Sequence, residues 1–561
     1  MIQYASRMVV QLYRRCRIGF FVLLLLASLG VANAGTLAVE KQGLVVPLIT
    51  DLPKGLVLDW PQLEQFYETQ QQSFVWHDEG QLNARGRMLF EWLASSVQQG
   101  LNPRDYHVDR LRYLLNSFQP SHRFLRELLL TEGYLRLAKD MRLGSTDPQL
   151  VDPQWQLAGD QFDPLALLVD ALRDHSLSAL LAKLKPTSAA YWRLAQALNY
   201  YRAIQVYGGW DSLQGEQILR PGARHAHVAD LRRRLEVEQR WPQQPVNDAD
   251  YFDQSLAADL RQFQRRMGLK DDGILGKDTR QALNVSVETR IAQIRLNLER
   301  WRWLPNELAA RYLLVNTAGF EIELIDQGRT LFHVRTVNGR KERQTPSFNS
   351  TVTHLVFNPQ WTVPRSIAVK DILPKLQSDH EYLQHKRMSV YERIGGEWQE
   401  VDASQIDWLA YHEDNFPFVL KQEAGAGNSL GRIKFHMPNQ HDIYLHDTSA
   451  PGLFNRQSRA LSSGCIRVES ADQLARLLMQ DHTTQELSVD ELLDSDNTHL
   501  TSLVNPIPVY LTYFTSWVDE SGQIHFRPDI YHRDWQLMMS MGEGMGHFTA
   551  EYAASPAGAS L

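Results

Sequence analysis

Apolar residues recur every three or four positions from about residue 59 to residue 210, and this spacing predicts a region built of α-helices. Glycine turns at Gly100 and at Gly208-Gly209 divide the region into segments. The region holds no cluster of His, Cys or paired acidic residues, so we interpret residues 35–215 as a scaffold domain without a reactive site. The apolar positions that define it are Leu63, Phe66, Tyr67, Leu89, Phe90, Trp92, Leu93, Phe124, Leu125, Leu128 and Leu129.

A second helical unit follows at residues 218–284. Its pattern predicts one helix near His227 to Gln239, a second near Ser255 to Met267 and a short third after Gly276. Gly273 and Gly276 allow tight or left-handed backbone between these helices. The unit is either a small three-helix domain or a generic helical linker. If it is a separate domain, its deletion should leave the chemistry of the rest of the chain in place.

The pattern changes after a linker helix at residues 285–306. Short, β-branched and partly alternating segments predict strands near 312–316, 320–324, 331–337 and 352–357. Residues 307–490 are therefore expected to form a β-rich domain. A mixed stretch at residues 371–422 interrupts the strand pattern and is expected to be an insertion.

The C-terminal part predicts a closing hairpin within residues 491–535, with strands at Tyr510 to Val518 and Ile524 to Arg527. We expect this hairpin to join the scaffold or the β-rich domain. Residues 536–561, rich in Gly, Ala and Ser, are expected to form a mobile tail. A chain of 561 residues is too long for one hydrophobic core, so the elements together predict a multidomain α+β protein.

The N-terminus has the layout of an export signal. Four arginines precede the apolar run 18–31, which ends in Ala32-Asn33-Ala34, a small-x-small site suited to signal peptidase. The run is shorter than the roughly 20 apolar residues that span a bilayer, although an uncleaved membrane anchor is the alternative. We predict that residues 1–34 are removed and that the mature chain begins at Gly35.

Charge and cysteine content narrow the function. The formal net charge is −7, and residues 1–34 carry four Arg and no acid, so their removal lowers it by four, to −11. Such an acidic chain disfavours nucleic acid as a partner. Cys16 leaves with the signal, which makes Cys465 the one cysteine of the mature protein. An unpaired cysteine in an exported protein is either a buried inert thiol or a reactive one.

The residues around Cys465 favour the reactive alternative. On a strand, side chains alternate, so Tyr444 and His446 should share an accessible face while Ile443 and Leu445 point into the core. A Ser-Ser-Gly turn directly precedes Cys465, and its backbone amides could face an oxyanion. A nearby imidazole can take the thiol proton and return it to a leaving amine. His446 is the candidate for that base.

A metal site is the less favoured reading of the histidines. His436, His441 and His446 are separated by odd offsets, so neighbouring members of the series face opposite sides of a strand. We predict no metal and no other cofactor. The group that orients His446 stays open between the Asp447 carboxylate, which alternates to the other face, and a backbone carbonyl.

The segment from His446 to Ser462-Ser463-Gly464-Cys465, a separation of 19 residues, resembles the catalytic motif of L,D-transpeptidases. Asn358 to Pro364 and Arg300 to Pro305 resemble the large Gram-negative members of that family, which carry a helical scaffold. Residues 218–284 similarly resemble a peptidoglycan-binding domain. Many family members have His directly before Gly-Cys, whereas this chain and the branch it resembles have Ser463.

The resemblance implies a reaction on peptidoglycan in the periplasm. Cys465 would attack the bond between meso-diaminopimelate and the terminal D-Ala of a tetrapeptide stem, with His446 as base. The amides of Gly464 and Cys465 would hold the oxyanion. A second diaminopimelate amine would then resolve the thioester into a 3→3 cross-link. A carbapenem, which mimics the acyl donor, would acylate the same thiol.

The resemblance also suggests substrate contacts. Tyr444 would line the pocket, and Arg467 would either pair with a stem carboxylate or stabilise its own loop. Ser463 would lie beside the substrate, although a role for its side chain is in doubt. Trp361 and the insertion 371–422 would cap the substrate, while core packing is the alternative for Trp361. The expected partners are stem peptides and glycan strands, with no membrane span after signal cleavage.

Two other classes compete with this interpretation. A papain-like peptidoglycan endopeptidase has its Cys before its His in the chain, whereas His446 comes first here. A non-catalytic wall-binding protein would not need Gly464-Cys465 downstream of a strand histidine. The sequence leaves the acceptor open among a second stem, water and a lipoprotein lysine, so L,D-carboxypeptidase and lipoprotein-attachment activities remain alternatives.

Overall fold

The computed structural model describes residues 56–542, apart from positions 72, 118, 154, 156–161, 239–247, 380, 481–487 and 496. The predicted signal 1–34, its cleavage before Gly35 and residues 543–561 of the predicted tail lie outside the described residues. Within the described ranges, no helix is long and apolar enough to cross a membrane.

Eight α-helices of the described chain build the scaffold. Four of them have proline in the first turn. Proline lacks a backbone N–H, and in the first turn this costs no hydrogen bond within the helix. The apolar positions expected in the core are largely buried, with Leu89 and Leu129 fully inaccessible. The helical scaffold is therefore confirmed. Its elements are α1 (Trp60–Thr69), β1 (His77–Asp78), β2 (Gln81–Leu82), α2 (Ala84–Ala94), α3 (Val108–Leu115), α4 (Pro120–Leu143), α5 (Pro148–Val151), α6 (Pro164–Arg173), α7 (Leu177–Lys183) and α8 (Ala189–Val206).

The next unit has the three predicted helices: α9 (Ala226–Val237), α10 (Gln254–Arg266) and α11 (Lys277–Asn284). The buried Gln264 side chain holds the turn between the last two, because it accepts from the Gly273 amide at 2.8 Å and donates to Thr279 at 3.1 Å. Gly273 has φ +72°, a conformation that favours glycine. Gly273 is thus required by the turn between the second and third helices, as the sequence predicted.

This three-helix unit does not have a core of its own. Leu231, Phe263 and Leu283 belong to one apolar core with Leu198 of the scaffold and Phe526 near the C-terminus. Removal of residues 218–284 would expose that shared core to water. Such a deletion is therefore expected to disturb the scaffold and the C-terminal segment as well, so surface substitutions are the appropriate way to probe this unit.

The predicted linker helix is α12 (Val287–Arg302), and it is buried on nearly all sides. Its charged residues are neutralised inside the core: Arg300 pairs with Asp534 at 2.5 Å and Arg302 with Glu299 at 2.8 Å. Removing one partner of such a buried pair would leave an uncompensated charge. The helix therefore lies at the centre of the molecule and contacts the scaffold, the three-helix unit and the C-terminal segment.

The β-rich domain is built on a mixed nine-stranded sheet in the order β13-β5-β14-β12-β11-β6-β15-β3-β4, and β4 also pairs with β5. The four strands predicted from the alternation are present with slightly different bounds. The strands from this point are β3 (Arg311–Asn316), β4 (Glu321–Asp326), β5 (Arg329–Gly339), β6 (Asn349–Phe357), β7 (Trp361–Thr362), β8 (Met388–Ile394), β9 (Glu397–Val401), β10 (Val419–Gln422), β11 (Ile433–His436), β12 (Leu445–His446), β13 (Ala460–Ser462), β14 (Ile466–Val468), β15 (His499–Thr512), β16 (Ser516–Val518) and β17 (Ile524–Phe526).

The insertion forms a cap with its own sheet, in the order β7-β10-β8-β9, and its own apolar core. That core extends from Trp361 to Leu430, so the cap is wider than the predicted 371–422. The reason is that β7, which precedes the insertion, pairs with β10 inside it. Short helices complete the cap and the flank of the main sheet: α13 (Arg365–Ile367), α14 (Leu373–Leu376), α15 (Tyr382–His385), α16 (Ala471–Met479) and α17 (Val489–Asp494), with a π turn at Ala368–Ile372.

The C-terminal segment joins both halves of the molecule. β15 lies between β6 and β3 of the main sheet, so Tyr510 to Thr512 belong to that sheet and not to the predicted hairpin. The hairpin itself is β16–β17. A last helix, α18 (Arg533–Ser540), buries Leu537 and Met538. Residues 536–540, which the sequence assigned to a mobile tail, are therefore helical because their apolar side chains reach the core.

Candidate active site

Three neighbouring strands place a row of basic side chains on one face of the main sheet. In the register of β11, β12 and β14, Lys434 lies opposite His446, and His446 lies opposite Arg467. Side chains that are directly opposite on adjacent strands are about 5 Å apart at their Cβ atoms. Ile443 and Leu445 are buried in the core of the domain, as the alternation predicted.

His446 is oriented by a backbone carbonyl. Its Nδ1 lies 2.6 Å from the carbonyl oxygen of Asp447, and because a carbonyl can only accept, Nδ1 must carry the proton. Nε2 is then the unprotonated nitrogen that can act as a base. The Asp447 carboxylate accepts instead from the backbone amide of Arg432 at 2.8 Å. Of the two groups that the sequence left open, the carbonyl orients the imidazole.

Burial and its basic neighbours keep His446 neutral. The side chain is 4% exposed, and burial together with the positive charges of Arg467 and Lys434 lowers the pKa of His446 to about 3, although the carbonyls of Asp447 and Leu430 oppose this shift. The imidazole is therefore available as a base from mildly acidic pH upward. It is also much less accessible than the sequence suggested.

Cys465 lies at the end of the turn that enters β14, half-buried against the core. Its Sγ is 3.6 Å from the carbonyl oxygen of Asp442. Burial raises the pKa of the thiol, and hydrogen bonding by Tyr444 and the charges of Lys434 and Arg467 partly offset this. The resting pair is thus a thiol and a neutral imidazole, with positive charge placed to stabilise a developing thiolate.

Tyr444 shares the face of His446, as predicted, with the two ring centroids 5.6 Å apart. The Lys434 ammonium lies 4.0 Å from the centroid of the Tyr444 ring. Burial is the main cause that raises the pKa of Tyr444, so its phenol stays protonated and can donate. Tyr444 also packs against the cap core, and it thereby lies between the cap and the sheet.

The turn before Cys465 is fixed by Ser462, a residue that the sequence analysis did not single out. The Ser462 hydroxyl donates to the Cys465 carbonyl at 2.6 Å and accepts from the Gly464 amide at 3.1 Å. Gly464 has φ +121°, and an added Cβ there would lie 2.9 Å from Cδ1 of Ile443. The positive φ favours glycine here, and a larger residue would also have to displace the end of the Ile443 side chain.

This geometry corrects the predicted oxyanion hole. The Gly464 amide already donates to Ser462 inside the turn, so it does not face a substrate. The amide of Cys465 lies between the end of β13 and the start of β14. It is the candidate donor that remains for an oxyanion.

Replacement of Ser462 by Ala should lower turnover about tenfold, because the loss of both hydrogen bonds lets the turn and the Cys465 amide shift from the productive geometry. The measurement is kcat on a soluble peptide substrate, with thermal unfolding to show that the fold is kept. Ser463→Ala is the matched control and should lose less than Ser462→Ala. Equal losses in the two variants would contradict the role of Ser462.

Three more residues were predicted to contact the substrate, and the structure places each in a different environment. Arg467 is half-buried near Cys465, and its buried Nε has no hydrogen-bond partner among the described residues. Ser463 accepts from Arg343 at 3.0 Å and donates to Asp371 of the insertion at 3.5 Å, so its hydroxyl contributes to the contact between turn and cap. Trp361 is 9% exposed and packs in the cap core, which matches the core-packing alternative.

The histidines do not form a metal site in the described part of the chain, where no three His, Cys, Asp or Glu side chains are arranged to hold an ion. His436 stacks on His354 with ring centroids 4.4 Å apart, and His441 lies against Phe348. Lys434 is a second residue that the sequence analysis missed. The sequence offered one signal for it: Lys434 lies two residues before His436, on the strand that precedes the strand of His446.

Three segments of the chain match families of known proteins. Residues 310–489 match the family described as L,D-transpeptidase catalytic domain, residues 224–283 match a "Putative peptidoglycan binding domain", and residues 61–198 match a "Scaffold domain". A Haemophilus influenzae protein named "Putative L,D-transpeptidase" is 34% identical over 303 residues, which cover 53% of this chain and 60% of that protein.

Two solved structures are also similar. One is an L,D-transpeptidase from Xylanimonas cellulosilytica, with 13% identity and a TM-score of 0.18 over 53% of this chain and 98% of that chain. The other is an L,D-transpeptidase from Stackebrandtia nassauensis, with 11% identity and a TM-score of 0.21 over 54% and 95%. At these TM-scores the two structures add nothing to the assignment.

The chain therefore contains an L,D-transpeptidase catalytic domain. A scaffold domain and a domain of the peptidoglycan-binding type accompany it, as the motifs in the sequence indicated.

Proposed function

We propose that this chain is a peptidoglycan L,D-transpeptidase that forms 3→3 meso-diaminopimelate cross-links through a Cys465 thioester. The observation that carries the proposal is the arrangement of one thiol, one neutral imidazole whose Nδ1–H donates to a backbone carbonyl, and two cations on a single face. A wall-binding protein without activity would not require the fixed turn at Gly464 or the tautomer of His446.

In the acylation step, His446 Nε2 takes the proton of Cys465 as Sγ attacks the carbonyl carbon between diaminopimelate and the terminal D-Ala. The new C–S bond places a negative charge on the carbonyl oxygen, which the Cys465 amide would stabilise. Collapse of this intermediate breaks the C–N bond. The imidazolium then gives its proton to the leaving D-Ala amine, and a thioester remains.

The second step releases the product. The side-chain amine of another diaminopimelate attacks the thioester carbon, loses a proton to His446, and expels the Cys465 thiolate, which takes the proton back. The contact of Nδ1–H with the Asp447 carbonyl would keep the imidazole in one orientation while it takes and returns the proton. Lys434 and Arg467 stabilise the thiolate that each step passes through.

The same site can bind the donor. Stem peptides carry carboxylates, and the half-buried Arg467 beside Cys465 would pair with one of them, while Tyr444 would line the pocket under the cap. The three-helix unit would hold glycan strands near the site. The predicted signal would place the mature chain in the periplasm, where this substrate occurs.

Product analysis tests the proposal. Purified enzyme is incubated with disaccharide tetrapeptides, and the products are identified by mass spectrometry. We expect a cross-linked dimer that has lost one D-Ala, joined between two diaminopimelate residues. A disaccharide tripeptide, which lacks the D-Ala leaving group, is the matched control and should not act as donor.

Other outcomes would assign other activities. A tripeptide monomer as the sole product would mean that water is the acceptor and that the chain is an L,D-carboxypeptidase. Donor consumption only when a lipoprotein with a terminal lysine is added would indicate lipoprotein attachment. No release of D-Ala by the folded protein would contradict the proposed function.

A further inference from the structure

A buried hydroxyl lies directly behind the catalytic turn. Thr345, which is 0% exposed, follows β5, and its Oγ1 donates to the Gly464 carbonyl at 2.7 Å while it accepts from the Gly339 amide at 2.9 Å. The Gly464 carbonyl and the Cys465 N–H belong to the same planar peptide unit. The hydrogen bond from Thr345 therefore fixes the plane of the amide that remains as candidate oxyanion donor.

The same hydrogen bond can also strengthen that donor. A carbonyl that accepts a hydrogen bond polarises its peptide unit, which makes the N–H on the other side a better donor. In the buried surroundings of Thr345 the effect is not weakened by water. Orientation and polarisation thus act on the same Cys465 amide.

The C-terminal segment holds Thr345 in place. The Tyr531 hydroxyl donates to the Gly339 carbonyl at 2.5 Å and accepts from the Thr345 amide at 3.4 Å. The Arg533 guanidinium donates to the Thr345 carbonyl at 3.4 Å and to the Ser347 hydroxyl at 3.0 Å. Backbone and neighbours of Thr345 are thus fixed by residues almost two hundred positions away.

The scaffold completes this connection. Arg533 forms an ion pair with Asp152, just after α5 of the scaffold, at 2.9 Å, and both side chains are almost fully buried. The Arg533 guanidinium also stacks near the rings of Tyr513 and Tyr531, at 5.0 and 5.1 Å from their centroids. A continuous path of buried polar contacts therefore leads from the scaffold to the peptide unit of Cys465.

We infer that Thr345 is a positioning residue for the oxyanion-binding amide of Cys465, and that Asp152 of the scaffold supports it through Arg533. The inference rests on the proposed role of Cys465 as an acylated nucleophile. It does not depend on the identity of the peptide substrate. It gives the scaffold a part in catalysis, in addition to support of the fold.

The test compares two reactions of the same thiol. Acylation by p-nitrophenyl acetate passes through a tetrahedral oxyanion, whereas alkylation by iodoacetamide is a displacement that forms none. We expect Thr345→Val to slow acylation about tenfold, less than the loss of a direct oxyanion donor, and to leave alkylation within about twofold of the wild type. Thr345→Ser, which keeps the hydroxyl, should restore acylation.

Thr317→Val is the matched control. Thr317 is 1% exposed and its hydroxyl donates to the Thr512 carbonyl at 2.8 Å, so the same chemical change is made away from the catalytic turn. Its ratio of acylation to alkylation rate should stay at the wild-type value. Thermal unfolding of each variant shows that the fold is kept, and Tyr531→Phe replaces Thr345→Val if the latter does not fold.

Three results would overturn the inference. They are an unchanged rate ratio in the folded Thr345→Val or Tyr531→Phe variant, an equal loss of both reactions, and failure of Thr345→Ser to restore acylation.

For the scaffold link, Asp152→Asn should lower the same ratio of acylation to alkylation rate about threefold, since it weakens an indirect contact. An unchanged ratio in Asp152→Asn would remove the scaffold from the proposal. If the wild-type protein does not act on peptidoglycan, the proposed function fails, but the ratio of acylation to alkylation rate still tests the role of Thr345.

Discussion

Replacement of Cys465 by Ala is expected to abolish both cross-linking and D-Ala release, a loss of at least about 10⁴-fold, since the nucleophile itself is removed. The fold should be kept, because Cys465 is half-buried and its Sγ makes weak sulfur hydrogen bonds, at 3.6 Å to Asp442 and to Tyr444. The measurement is the rate of product formation by mass spectrometry, combined with the melting temperature of the variant.

Cys465→Ser is the control for shape. It retains a polar atom at the same position, but a hydroxyl is far less ionised than a thiol and should not rescue the reaction. Both variants should melt close to the wild-type protein. Residual cross-linking above about one hundredth of the wild-type rate in Cys465→Ala would exclude this thiol as the nucleophile.

Replacement of His446 by Ala is expected to slow acylation about 10² to 10³-fold near pH 7, the usual contribution of a positioned base. The loss should shrink as pH rises, because solvent then ionises a thiol whose pKa burial has raised. In the wild type, a pKa of His446 near 3 leaves the imidazole unprotonated above about pH 5, so no inflection near the ordinary histidine value of about 6.5 is expected.

The measurement is the pH profile of the acylation rate, from about pH 5 to about pH 10, for wild type and variant. His441→Ala is the control, since His441 packs against Phe348 and should leave the profile near that of the wild type. A wild-type inflection near pH 6.5 that disappears in His446→Ala would show that His446 titrates normally and would contradict the described environment.

Local patterns in the sequence predicted much of this site. Alternation along one strand placed Tyr444 and His446 on one face, and the Gly464 turn before Cys465 followed from residue types alone. These features depend on neighbours in sequence, and the physics of strands and turns is local. The helices of the scaffold and of the three-helix unit were predictable for the same reason.

Features that depend on distant pairing could not be predicted. Lys434 stands beside His446 only through the register of β11 and β12, and Thr345 reaches Gly464 across more than a hundred residues. The sequence predicted the helix α12, but not that its charged residues Glu299 and Arg302 pair within the core. Such partners become visible only when the fold brings them together.

Intact-protein mass spectrometry after incubation with a carbapenem decides whether Cys465 is the nucleophile. We expect one covalent adduct per wild-type chain, equal in mass to one carbapenem, and none on the Cys465→Ala protein. Peptide mapping should place that adduct on Cys465. A carbapenem adduct of the same stoichiometry on Cys465→Ala would contradict the assignment of the nucleophile.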